Sequence, residues 1–126
     1  MFLLHKMHRL SLTFENMPER HAELAWRFGE PDQCLEDDVA APGGKTSRWT
    51  LASPLPPEAA VEAHLGWAAE CLGPHEAFVG ELIALGGRVV LRLDADGLEP
   101  GAVWGFNARR LLPMAHAGVL IECRFG

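Results

Sequence analysis

Gly43-Gly44-Lys45-Thr46 is the stretch that most invites a chemical reading, because a glycine-rich turn ending in Lys-Thr can wrap backbone amides around a phosphate. The full pattern needs a glycine five residues before Gly44, where this chain has Val39, and a helix directly after the threonine. Instead a strand-like Trp49-Thr50-Leu51 follows, then Pro54, Pro56 and Pro57, among which no helix can start. A flexible turn is expected. Asp94-Ala95-Asp96-Gly97 imitates the start of a calcium loop, but no terminal bidentate glutamate follows at the required position, so it reads as a strand-ending turn. His5 with His8, and Cys71 with His75, have ligand-like spacing. Gly73-Pro74 interrupts the second pair and the first lies in a terminus, so no metal is expected. No G-x-S-x-G turn marks a nucleophile, and Glu36-Asp37-Asp38 reads as a solvated acidic loop rather than paired catalytic carboxylates.

The longer string Ala40-Ala41-Pro42-Gly43-Gly44-Lys45-Thr46 resembles the S-adenosylmethionine loop of RNA cytosine methyltransferases. Such enzymes need an apolar strand before the loop, a helix after it and a catalytic cysteine beyond. Here acidic residues precede it and too few residues follow for that α/β fold. No catalytic residue and no cofactor are therefore assigned, and the reading leans away from an enzyme.

The elements that would position any working residues are clearer. Four segments alternate with period two: Leu10, Leu12 and Phe14; Trp49 and Leu51; Val89, Leu91 and Leu93; and Val119, Ile121, Cys123 and Phe125. Strands of this kind are covered on one face and wet on the other. Helices are expected from Pro18 to Gly29 with Asn16 as a cap, from Pro56 along Val61, Leu65, Ala68 and Leu72, through Phe78, Leu82 and Leu85, and around Asn107 to Ala117 with a kink or late start at Pro113. The predicted fold is a single α+β domain over 1–126: a two-layer sandwich, with a four-stranded, mostly antiparallel sheet, helices on one face, and the order β-α-β-α-α-β-α-β. The connection from Glu30 to Thr46 shows turn chemistry and no periodicity.

That alternation sorts the arginines. Of nine, Arg9, Arg48, Arg88, Arg92 and Arg124 fall on the predicted wet face, interrupted by Glu15, Asp94 and Glu122. Planar guanidinium forks suit carboxylates and phosphates. Aromatic residues that could stack bases are missing there, because Phe14, Trp49 and Phe125 alternate toward the core, which weighs against RNA. The plainest reading is a solvated face with cross-strand Arg–Glu pairs, and two functional expectations stand beside it. The first is a non-enzymatic interaction module whose Arg-bearing face docks an acidic protein partner or a second copy, an immunity-type protein being one concrete form. The second is a small-molecule pocket between sheet and helices near His64, bordered by Trp49 and Trp67.

A net charge of −6 argues against a generic polyanion binder, so no nucleic acid is expected. Three cysteines without paired spacing suit a reducing compartment. No run of about 20 apolar residues exists, so no membrane is expected and the predicted location is cytoplasmic.

Gly29-Glu30-Pro31, Ser47-Arg48-Trp49-Thr50-Leu51, Glu62-Ala63-His64-Leu65-Gly66-Trp67 and Leu72-Gly73-Pro74 together resemble a bacterial family known only as domain of unknown function (DUF) 4279. The resemblance runs from about Leu10 to Phe125, with Thr50 where serine is expected and an unusually long acidic loop before it. It implies an α+β bacterial domain with no assigned activity and no catalytic residue to carry over. Trp49, His64 and Trp67 match its pattern.

Overall fold

β1 (Met7–Glu15) is the centre of the molecule, flanked on both sides by antiparallel partners, β3 (Arg48–Ala52) and β4 (Arg88–Asp96). The computed structural model describes residues 7–35, 47–97 and 105–125. Beyond β3 lies β2 (Gln33–Leu35), antiparallel to it, and beyond β4 lies β5 (Leu120–Phe125), parallel to β4. The sheet is mixed, in the order β2-β3-β1-β4-β5.

The α+β class therefore stands, while the strand count and element order are corrected. Among the described residues five strands replace the expected four, because the Glu30–Thr46 connection contains β2. That strand is three residues long and exposed throughout, too short for any alternation to register in the sequence. Asp32 holds it in place. Its N–H donates to the Thr50 carbonyl (2.8 Å), and its carboxylate accepts from the Ala52 N–H (2.7 Å).

Four helices connect the strands: α1 (His21–Phe28), α2 (Val61–Leu72), α3 (Glu76–Ala84) and α4 (Leu112–Ala117). Their starts depart from the sequence expectation in instructive ways. Asn16 does not cap a helix; it adopts φ 64°, a left-handed turn residue, and a single 3-10 turn (Pro18–Arg20) precedes α1. α2 begins at Val61 rather than Pro56, after Ala60, whose backbone is still extended (φ −60°, ψ 145°). Gly73-Pro74 ends α2, as expected, and links it to α3 through a 3-10 turn (Gly73–His75). Near Pro113 the late start is the correct option: α4 begins at Leu112, after a 3-10 turn (Ala108–Leu111) in which the Asn107 side chain accepts from the Arg109 N–H at 2.9 Å.

The core forms where the helices meet one face of the sheet. Leu10, Leu12 and Phe14 of β1, Trp49 and Leu51 of β3, and Val89, Leu91 and Leu93 of β4 pack against Leu24, Leu65, Leu72, Val79, Leu82 and Met114. Trp49 meets Phe14 edge-on at 5.7 Å, and Phe28 closes the group. β5 departs from the expected alternation: Val119 is buried, but Cys123 and Phe125 are exposed although they occupy helix-side positions. An edge strand has a neighbour on one side only, and the helices do not reach this far across.

The α3–β4 turn is tight enough to require glycine. A Cβ on Gly87 would sit 2.9 Å from the Leu82 carbonyl oxygen, which already accepts the Gly87 N–H, and would press on the Met17 methyl. Gly87→Ala is therefore expected to destabilise the protein by about 1–3 kcal/mol. Urea denaturation checks this, and an unchanged midpoint would contradict the packing described.

Candidate functional site

Strand register decides which polar side chains share the uncovered face. Arg9 of β1 stands opposite Asp94 of β4, which stands opposite Arg124 of β5. One step along, Ser11 faces Arg92, and Arg92 faces Glu122. At the far end Arg48, Glu15 and Arg88 form a third row across β3, β1 and β4. All five arginines singled out in the sequence thus share one surface, and each row alternates in sign. At its centre Thr13, Thr50 and Val90 fill the gap between charged rows, with the two threonine hydroxyls 3.2 Å apart.

The face is hollowed into an open basin of about 450 Å³. Its floor is Ser11, Thr13 and Thr50; Asp32, Gln33 and Arg48 border the β2 side, and Arg9, Arg92 and Asp94 the other. Strand rise sets its long dimension at roughly 20 Å from Arg9 to Glu15. The arginines differ in how committed they are. Glu122 engages Arg92 at 3.1 Å and Arg88 at 3.6 Å. No ion pair among the described residues engages Arg9, Arg48 or Arg124, all three exposed. Partly exposed pairs of this kind add little to stability, so the face is under no strong internal demand to keep its charges to itself.

The three residues of the expected pocket take separate roles. Trp49 is sealed within the aromatic group. Trp67 packs at the edge of the core, half-buried. His64, 1% exposed, has both ring nitrogens engaged: Nδ1 lies 2.8 Å from the Ser53 hydroxyl and Nε2 lies 3.2 Å from the Pro56 carbonyl. A carbonyl only accepts, so Nε2 carries the hydrogen and Nδ1 accepts from Ser53. His8, 6.4 Å away ring to ring, makes a parallel bond from Nδ1 to the Ala59 carbonyl at 3.0 Å. Together they clamp residues 53–59 to α2 and β1. The hollows among α2, α3 and α4 are lined by other residues: a cleft of about 50 Å³ against Leu72, Val79 and Met114, and an open groove beside Gly66, Glu70, Arg109 and Arg110. A cleft that size holds a water molecule or two.

One chemical pair escaped the sequence reading. Cys34 on β2 places its Sγ 3.4 Å from His21 Nδ1 at the start of α1, across 13 residues of separation. Among the described residues the other ring nitrogen, Nε2, is buried without a hydrogen-bond partner. Burial pushes the Cys71 thiol up, with Glu70 adding to the effect, and burial also raises Cys123, so both remain protonated near neutral pH. Among the described residues no three His, Cys, Asp or Glu side chains gather to hold a metal, and no helix is long and apolar enough to cross a membrane. His5, Glu36-Asp37-Asp38 and the Gly43–Thr46 turn lie outside the described residues.

No family model, curated protein or solved structure matches this chain.

Burial is the chief cause lowering the His64 pKa, reinforced by nearby His8 and opposed by the Pro56 bond. The folded protein thus prefers the neutral ring, and below the ordinary value of 6.5 the unfolded chain takes up the proton more readily. Stability from this group is full above 6.5, declines as pH falls through it, and levels off below the folded-state value. His64→Gln is expected to flatten the change in denaturation midpoint between about pH 7.5 and about pH 5.5. An unaltered slope would remove His64 from that role.

Proposed function

We propose that this domain is a non-enzymatic interaction module that receives an acidic segment of a partner protein in the basin on the uncovered face of its sheet. The observation that carries this reading is the convergence of Arg9, Arg48 and Arg92 on one basin with a hydroxyl-lined floor, two of the three outside any ion pair among the described residues. Their guanidinium groups offer paired N–H donors to carboxylates, while Ser11, Thr13, Thr50 and Gln33 supply hydrogen bonds along the floor.

A basin roughly 20 Å long suits about six residues of extended chain lying along the strands. Asp32, Asp94 and Glu15 on the rim make the surface selective: an acidic segment must space its carboxylates to match Arg9 and Arg48 and avoid the acids between. The resemblance to the DUF4279 family fits a module of this kind without assigning it a partner. An immunity-type protein that blocks a toxin is one form such a module takes.

A fluorescently labelled six-residue peptide with glutamate at each end and neutral residues between is a direct probe. The wild-type protein should bind it more weakly as salt rises. Arg9→Glu with Arg48→Glu should weaken binding at least roughly tenfold, since each rim charge contributes a few-fold. Arg109→Glu with Arg110→Glu, beside the groove at α2, should leave it unchanged. Equal loss from both pairs, or no binding by the wild type at low salt, would defeat the proposal.

A further inference from the structure

The two edges of the sheet are not alike. β2 is three residues long and follows directly on Asp32, whose carboxylate takes the Ala52 N–H, a short edge that offers little to a foreign strand. β5 pairs with β4 continuously from Leu120 to Phe125, without a bulge, proline or lysine, and no described strand pairs with its outer side. It exposes apolar side chains on both faces, Leu120 on one and Ile121 and Phe125 on the other. An unblunted, apolar edge in an otherwise protected sheet is a template for strand addition.

We infer that the β5 edge is an interface with a second copy of this chain, paired antiparallel about a two-fold axis at Cys123. The strand's own sequence carries the assignment. With Cys123 opposite the second copy's Cys123, Glu122 stands opposite the second copy's Arg124, and Ile121 opposite the second copy's Phe125, each pair made twice by symmetry. Moving the axis to Glu122 sets two glutamates opposite each other, and moving it to Arg124 sets two arginines opposite each other. Axes between residues would turn a helix-side position against an uncovered one. Of the registers that overlap most of the strand, the one centred on Cys123 alone avoids like charges across the seam.

The neighbouring strands agree with this register. Across the uncovered face the row Arg9, Asp94, Arg124 meets the second copy's Glu122 and then the second copy's Arg92, so the alternation of sign within each sheet continues unbroken across the boundary. A two-fold axis perpendicular to the sheet also keeps both uncovered faces on one side. The result is one ten-stranded sheet carrying two basins, a bivalent platform that gains avidity toward any partner presenting two acidic segments. This assembly does not depend on what the basins bind.

Light scattering on a sizing column and thiol cross-linking test it together. In a Cys34→Ser, Cys71→Ser background a short bifunctional thiol reagent should join two chains through Cys123, and the uncross-linked protein should show twice the monomer mass at micromolar concentration. Ile121→Lys should give a folded monomer that no longer cross-links. Arg124→Glu, which sets glutamates against Glu122 across the seam, should do the same and serves if the first variant misfolds by circular dichroism. A monomer across the whole concentration range overturns the inference, as does a dimer that withstands both variants and gives no Cys123 bridge. Because neither variant alters Arg9 or Arg48, binding of the glutamate-ended peptide by the monomeric variants separates failure of this interface from failure of the basin.

Discussion

The alternation of β1 is the constraint on which the rest of the molecule depends. Paired along its whole length with β4 and over half of it with β3, it sends Leu10, Leu12 and Phe14 into the helical layer and Arg9, Ser11, Thr13 and Glu15 to the other side. A shift of one residue in its register would reverse all seven positions at once, placing Arg9 and Glu15 in a core that cannot solvate them. The apolar side chains of the helical layer therefore fix the basin from behind, and its floor is the opposite side of the same sheet. Its floor and charged rows are the reverse side of a packing solution.

That solution is secured at the points where chain regularity fails. Residues 53–59 cannot form a helix because of their prolines, and they leave β3 with backbone carbonyls that need donors. His8 and His64 supply them from β1 and α2, the Ser53 hydroxyl completes the His64 ring, and the Ser53 N–H returns to the Leu10 carbonyl at 2.8 Å. At the opposite end Phe28 lies between Trp49 and the His75 ring, 4.8 Å away, and Arg27 covers Phe78 with its guanidinium 3.9 Å from the ring centre. Gly118, at φ 99°, ends α4 and lets the Val119 N–H reach back to the Met114 carbonyl, which aims β5 alongside β4. Histidines and aromatics that might pass for a pocket instead hold the connections that the sheet and helices leave loose.

Period-two alternation made three of the strands legible in the sequence, since Leu10–Phe14, Trp49–Leu51 and Val89–Leu93 each bury their apolar positions, while Thr13 and Val90 on the opposite side are buried as well, which alternation does not foretell. It also placed all five face arginines correctly, because side-chain direction follows from the strand period alone. β2 was illegible for want of length. The exposure of Phe125 was illegible because alternation reports which face a residue points to, not whether anything covers that face. The closeness of Cys34 to His21 follows from β2 docking beside α1, a tertiary event with no local trace. His64 was recognisable as a residue on the apolar side of its helix, but its role depends on a donor supplied by Ser53 and an acceptor supplied by Pro56, which spacing does not reveal.

Charge distribution then connects fold to partner. The chain is acidic, yet its uncovered sheet face carries five arginines against Glu15, Asp94, Asp96 and Glu122, so the excess negative charge lies elsewhere on the molecule. With Asp32 on the rim the basin's own charges balance, Arg9, Arg48 and Arg92 against Glu15, Asp32 and Asp94, so the docking proposed for it rests on matched spacing rather than on net attraction. The alternating rows also limit what can dock there. A uniform polyphosphate would meet an acid between each pair of arginines, whereas a peptide can place a carboxylate at one row and a neutral side chain at the next. Selectivity on this face thus arises from the spacing of its charges along the strands, which the register of β1 sets.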